Sequence, residues 1–330
     1  MEDHSRTGFL GGVDLGGSHA TCVVGRGPDV LERIARFSTR GPAETLADIV
    51  GFFSRAISDG LPVAAIGVSA FGPLDRDPAS RTYGRVLATP KPSWTGTDIL
   101  GRLRTLDIPV VIDTDVNGAA LAEGEWGAAA GFADYAYVTV GTGIGVGLVS
   151  GGRLVNGLGH PELGHYAPPR HSDDRFAGCC PFHGDCLEGL ASGTALAARV
   201  HPRSPTSIGD DDPALDLVAH YLGHLCSVIS FTISPRRIVF GGGVLARETL
   251  LGRVRKAARA RIAGYLPAAI YAGDLADVVV RSRWTAATSD VTAGALGGLS
   301  MASRVAGERG GLSVSSRRNS GATPAPFRHE

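Results

Sequence analysis

The chain has 330 residues, too many for one small domain and enough for two. Hydrophobic residues make up 43% and charged residues 19%, the balance of a globular chain rather than a disordered one. The formal net charge is zero, which leaves no basic surplus for nucleic acid, and no run approaches the roughly 20 continuous apolar residues that span a bilayer.

The N-terminal stretch MEDHSRTGFLGG has no signal-peptide core, so a cytoplasmic location is expected. Phe9–Val13 predicts a strand, Asp14–Ser18 a glycine turn, and Thr21–Gly25 a second strand, together a hairpin. Leu46–Ile57 has helical periodicity, and Val63–Val68 reads as a buried strand. Phe71–Trp94 is rich in Pro, Gly, Asp and Thr and predicts a long loop, a type that usually carries function. Val110–Ile112 predicts a strand, and Asp115–Trp126 a helix capped by Thr114 or Asp115. Tyr135–Val140 and Ile144–Val149 repeat the strand–turn–strand pattern around Gly141-Thr142-Gly143.

Residues 151–187 read as irregular. Helices are expected at Glu188–Val200 and Pro213–Ile233, a strand at Arg237–Phe240, and a glycine run at Gly241–Gly243. A helix near Leu245–Leu266, a strand near Asp277–Val280 and a last helix at Val291–Ser303 follow. The tail from Arg304 has few apolar residues and reads as disordered. Alternating strands and helices make the class α/β. The repeated pattern predicts two lobes facing a cleft. One comprises residues 1–114 joined by the last helix (about 288–303); the larger comprises residues 115–287 and a metal-binding segment.

No GxxxxGK[ST] sequence is present, so P-loop chemistry is excluded. Asp14-Leu15-Gly16-Gly17-Ser18 and Gly141-Thr142-Gly143-Ile144-Gly145 offer backbone N–H nests for phosphate, with hydroxyls from Ser18 and Thr142. Asp14 can hold Mg²⁺ through water. Gly241-Gly242-Gly243 lets a nucleotide's sugar and base pass close to the backbone. Each run alone is also what an ordinary tight turn looks like.

Val111-Ile112-Asp113-Thr114-Asp115-Val116-Asn117 puts two carboxylates where a strand opens into a helix. Phosphoryl transfer to an alcohol needs a base for its proton, and Asp115 suits that role. The same residue could simply cap the helix. Asp113 is the weaker candidate. Glu162 and His165, in Gly159-His160-Pro161-Glu162-Leu163-Gly164-His165, and Glu188 form a polar set that could meet sugar hydroxyls.

Cys180-Pro181-Phe182-His183-Gly184-Asp185-Cys186 reads C-x-x-H-x-x-C, and His165 can supply a fourth ligand. A full N/S set suits a closed, structural Zn²⁺ site that would order the segment and fix Glu162 and Glu188. His171 and Cys179 are spare candidates. Arginine carries almost all the basic charge, the lysines being Lys91 and Lys256 alone.

With these residues the sequence resembles the ROK family of sugar kinases and regulators, from about Gly11 to about Ser303. It resembles the fructokinase branch through Phe71-Gly72-Pro73-Leu74-Asp75, Thr89-Pro90-Lys91-Pro92-Ser93-Trp94 and the run Cys180–Gly193. The resemblance implies an actin-like (ribonuclease H-like) two-lobe fold, ATP with Mg²⁺, structural Zn²⁺, a hexose substrate, fructose above all, and a homodimer. It implies Asp115 as the base and a sugar site drawn from Gly72, Asn117, Glu162, His165 and Glu188. Phosphate and nucleotide contacts fall to Asp14, Gly16, Gly17, Ser18, Thr142, Gly143, Gly241 and Gly242. Mannose or glucose are the competing substrates. A sugar-responsive repressor is disfavoured, because a first strand at Phe9 leaves no helix-turn-helix before it.

Overall fold

The computed structural model describes residues 8–311 apart from Pro90, Pro267 and 286–288. Among the described residues, ten strands form two five-stranded sheets. The first contains β1 (Phe9–Leu15), β2 (His19–Gly27), β3 (Val30–Ser38), β4 (Val63–Ala70) and β5 (Val110–Thr114), in the order β3-β2-β1-β4-β5. The second contains β6 (Tyr135–Val140), β7 (Ile144–Ser150), β8 (Arg153–Leu154), β9 (Arg237–Gly241) and β10 (Val279–Arg281), in the order β10-β9-β6-β7-β8. In both sheets the first three strands in sequence run as an antiparallel meander. The last two join parallel to the meander's first strand. The repeat read from two glycine turns therefore extends to the whole sheet.

The helices are α1 (Pro42–Ser58), α2 (Ile99–Leu103), α3 (Asp115–Glu125), α4 (Leu187–Ala191), α5 (Gly193–Val200), α6 (Pro213–Ile233), α7 (Glu248–Ile262) and α8 (Ala293–Gly311). Helix α1 starts with Pro42 and buries Leu46, Ile49, Phe52, Phe53 and Ala56 on the face packed against the first sheet. Helix α6 has Asp212 as cap and Pro213 in its first turn. It is long and apolar enough to cross a membrane, yet 67% of its most apolar stretch is buried inside this fold.

Helices α3 and α8 pack on each other. Helix α3 also reaches β6 and β7 of the second sheet, and α8 covers β1 and β4 of the first. Glycines make that contact close: a methyl group on Gly67 of β4 would strike the carbonyl of Gly298 in α8. Apolar cores lie on each sheet, one around Phe53, Ile66 and Leu100, the other around Val138, Leu222 and Phe240.

Several sequence expectations change. β3 was not expected, although Val30–Ser38 alternates exposed and half-buried residues as an edge strand does. The helix expected over Glu188–Val200 breaks at Ser192. Its backbone is extended there, and its hydroxyl caps α5 by accepting from Ala195 N at 3.1 Å. The helix expected over Leu245–Leu266 divides into a 3-10 turn, Gly243–Ala246, and α7. Residues 304–311, expected in a disordered tail, continue α8; no proline intervenes to stop it. The rest of that expected tail, from residue 312, lies outside the described residues.

Candidate active site and metal centre

The end of β5 settles which residue caps α3. Thr114 is the cap, its hydroxyl accepting from Asn117 N at 3.3 Å. Asp115, the first helical residue, is thus free of capping duty. One of its oxygens accepts from Val116 N at 2.9 Å. Asp115 lines a cavity of about 300 Å³ with Asp14, Gly16, Gly242, Trp284 and Thr292. Burial, then the Asp14 and Glu162 charges, push the Asp115 carboxyl up to about 7, against the Val116 N–H that lowers it. Burial also lifts Asp14 to about 6, opposed by a hydrogen bond from Thr292 and by the charge of Arg36. Gly294 leaves room for Asp14, since a methyl there would meet its carboxyl carbon at 2.6 Å. Two half-buried carboxylates that repel each other across a cleft are suited to a shared cation and to accepting a proton.

The glycine turns divide around this cavity. Gly16 lines it; its N–H donates to His19 O at 3.0 Å and its carbonyl accepts from the Thr39 hydroxyl at 2.7 Å. Gly242, at φ +88°, also lines it, whereas Gly241 is buried behind the Tyr137 hydroxyl. Gly17, Ser18, Thr142 and Gly143 do not line it, and Ser18 and Thr142 are exposed. The second turn is held instead by Glu188, which accepts from Ile144 N at 2.9 Å and lies where a methyl on Gly143 would sit. Gly193 N–H and the Thr194 hydroxyl bind the carbonyls of Gly141 and Thr142 at 2.7 and 2.8 Å.

Asp113 is occupied elsewhere, which explains its weaker claim. Its carboxylate accepts from Arg76 at 2.7 Å, from Thr114 N at 2.6 Å and from the Asn117 amide at 2.9 Å. Arg76 and Asn117 both reach Asn156 Oδ1, at 2.8 and 3.3 Å. Asn117, an expected sugar contact, is fully buried in this network, with its own Oδ1 unpartnered. Arg76 and Asn156 escaped the sequence reading: they lie 37 and 39 residues from their partners. Glu162 is exposed, with His160 Nε2 3.4 Å away. Gly72 follows β4, half-buried, next to Phe71, whose N–H donates to Leu15 O at 2.9 Å.

His165, Cys180, His183 and Cys186 come together, their ligand atoms all within 4.8 Å of one another. Cys180 Sγ is 3.8 Å from Nδ1 of both His165 and His183, and Cys186 Sγ is 3.6 Å from His165 Nδ1. Metal–sulfur bonds of about 2.3 Å and metal–nitrogen bonds of about 2.0 Å at a tetrahedral angle put S and N roughly 3.6 Å apart, so the set fits a divalent ion. Cys180 and not Cys179 belongs to it. His171 is not in the set; its ring packs edge-on against His220. His165 was expected on both the metal and the sugar, and the structure places it in the metal cluster.

Two sheets of matching strand order around a carboxylate-lined cleft define the actin-like two-lobe fold. The ROK family pattern matches residues 10–304. The chain belongs to the ROK family. It is 45% identical over 230 residues to the fructokinase of Zymomonas mobilis, covering 68% of this chain and 75% of that protein. It is 36% identical over 303 residues to the fructokinase of Streptococcus mutans, covering 90% and 98%. Among solved structures, the ROK hexokinase of Thermus thermophilus superposes with a TM-score of 0.71 at 28% identity, covering 91% of this chain and 99% of that one.

Proposed function

We propose that this chain is an ATP-dependent hexose kinase that converts D-fructose to fructose 6-phosphate, with Asp115 as general base. One observation carries the reading: Asp115 is released from capping by Thr114 and faces the cleft beside Asp14, with its carboxyl raised to about 7. A base poised near neutral pH accepts a hydroxyl proton efficiently. The fructokinases of Z. mobilis and S. mutans support fructose as the acceptor.

In this reading Gly72, Asn117, Glu162 and Glu188 shape the sugar site, with His165 fixing Glu162 from the metal cluster. Gly16, Gly17, Ser18, Thr142 and Gly143 receive the phosphates, and Gly241 and Gly242 the nucleoside. Asp14 would hold Mg²⁺ through water; when bound with ATP that ion offsets phosphate charge. His165, Cys180, His183 and Cys186 would hold Zn²⁺ in a closed, structural site. Residues 1–114 with 288–303 form one lobe and 115–287 the other, and closure between them excludes water from the phosphoryl group. The enzyme works as a cytoplasmic homodimer, which light scattering checks.

A coupled ADP-release assay over fructose, mannose and glucose tests the reading. Fructose should give the highest kcat/KM. Asp115→Asn should cut kcat by about 10³-fold and leave sugar affinity within a few-fold. Because the base works unprotonated, wild-type kcat/KM should fall as pH drops below about 7. Turnover of no hexose, or an active Asp115→Asn enzyme, would refute it.

A further inference from the structure

The β1–β2 turn has a cation beside it to which the reading above gives no role. A methyl built on Gly17 would meet Lys91 Cε at 3.4 Å and Nζ at 3.6 Å. None of the ion pairs among the described residues includes Lys91. Its ammonium lies over the Phe71 ring, with Nζ 5.6 Å from the centroid. An ammonium with no carboxylate beside a glycine turn is a half-built anion site.

The turn supplies the other half. Gly16 N–H is committed to His19 O, but Gly17 and Ser18 N–H have no backbone partner among the described residues. Successive free N–H groups and a nearby ammonium converge on the chemistry of a phosphate oxygen.

Lys91 is also held in place. Its carbonyl accepts from Trp94 N at 2.9 Å. Trp94 is 1% exposed, donates its indole N–H to Arg40 O at 3.1 Å, and packs edge-on against Phe71 with centroids 5.2 Å apart. Phe71 N–H in turn binds Leu15 O, next to Gly16. Turn, aromatic pair and lysine backbone therefore form one unit at the carboxyl ends of β1 and β4.

We propose that Lys91 Nζ binds the γ-phosphate of ATP and stabilises the charge on the phosphoryl group as it transfers. The proposal deepens the kinase reading and rests on it. In the step, the sugar oxygen bonds to the γ-phosphorus as the bond to the β-phosphate bridging oxygen breaks. The hydroxyl proton goes to Asp115 and ADP leaves. The Lys91 ammonium, a compact point charge, faces the phosphoryl oxygens throughout and exchanges no proton.

Lys91→Met keeps the stem and its packing on Phe71 but removes the charge; Lys91→Arg keeps a charge. The methionine variant should lose at least about 10²-fold in kcat/KM for ATP, with sugar KM within about threefold and an unchanged Tm; the arginine variant should recover part of that loss. The methionine variant should also bind AMPPNP at least about tenfold more weakly while its affinity for ADP stays that of the wild type, because only the γ-phosphate has lost a partner. Activity within threefold of wild type, or equal losses for AMPPNP and ADP, would overturn the proposal. If the wild type phosphorylates no hexose the kinase reading fails, and the AMPPNP–ADP contrast still decides the γ-phosphate contact.

Discussion

The β1–β2 and β6–β7 turns occupy equivalent positions in two sheets of the same strand order, yet they are finished differently. The first ends a strand carrying Asp14, which lines the cavity with Asp115. The second has no acid of its own. It is held from behind by Glu188 on Ile144 N, and by Gly193 and Thr194 on its carbonyls. One turn presents charge to the cleft; the other is shaped by a neighbour. A repeated backbone fixes where ligands come close to it, and side chains outside the repeat decide what each half does.

The largest test of this difference exchanges nothing but side chains. Asp14→Ala should lower kcat by about 10² to 10³-fold, the scale for losing one electrostatic contact in the transition state. Thr142→Ala, in the equivalent turn, removes an exposed hydroxyl and should cost under about tenfold. Steady-state kinetics at saturating sugar and ATP decide this. Equal losses at the two turns would break the comparison.

Metal removal should separate the turns a second way. Helix α4, which carries Glu188, begins directly after Cys186. Chelation, or Cys186→Ser, should therefore loosen the second turn along with residues 160–192. Binding free energy at such a site is folding free energy, so a loss of several kcal/mol should lower Tm by of order 10 °C. Amide exchange should rise in 160–192 and at Gly141–Ile144 and stay at its original rate at Gly16–Ser18. Equal deprotection of both turns would show that the cluster does not support Glu188.

How much of this was legible in the sequence depends on the span of each interaction. Glycine turns, the Thr114–Asp115 helix start and the C-x-x-H-x-x-C run are local patterns, and the structure forms each of them, although Gly17, Ser18, Thr142 and Gly143 do not line the cavity. His165 joined the metal set across only 15 residues. The Arg76–Asp113–Asn117–Asn156 network was not legible, because Arg76 and Asn156 come from segments after β4 and after β8 that lie 37 and 39 residues from the residues they meet. Lys91 was visible as half of the chain's lysine content, but nothing local said that it would stand over Gly17. β3 failed for a different reason: an edge strand with arginines and a glutamate on it has weak hydrophobic alternation.

The smallest effect expected concerns the cost of holding two acids in one cleft. Asp115 has an ordinary value of 3.8 and about 7 in the fold, raised by burial first and by the Asp14 charge second. Between those values the folded chain binds more protons than the unfolded one, so the contribution is full below about pH 4 and is lost as pH rises through 7. An uncharged amide escapes that loss. Asp115→Asn should thus make the ligand-free protein more stable at pH 8, by about 1–2 kcal/mol once contact with cleft water is allowed for, or a few degrees in Tm. At pH 4 the gain should vanish. Asp14→Asn should show a smaller gain, since its own value rises only to about 6, and should also draw the Asp115 value down by removing the second cause. A gain independent of pH would assign the effect to packing, and no gain would mean that cleft water already solvates the pair. The dependence on pH therefore measures how much stability the first turn gives up to keep its charge facing the cleft, a cost the uncharged second turn does not carry.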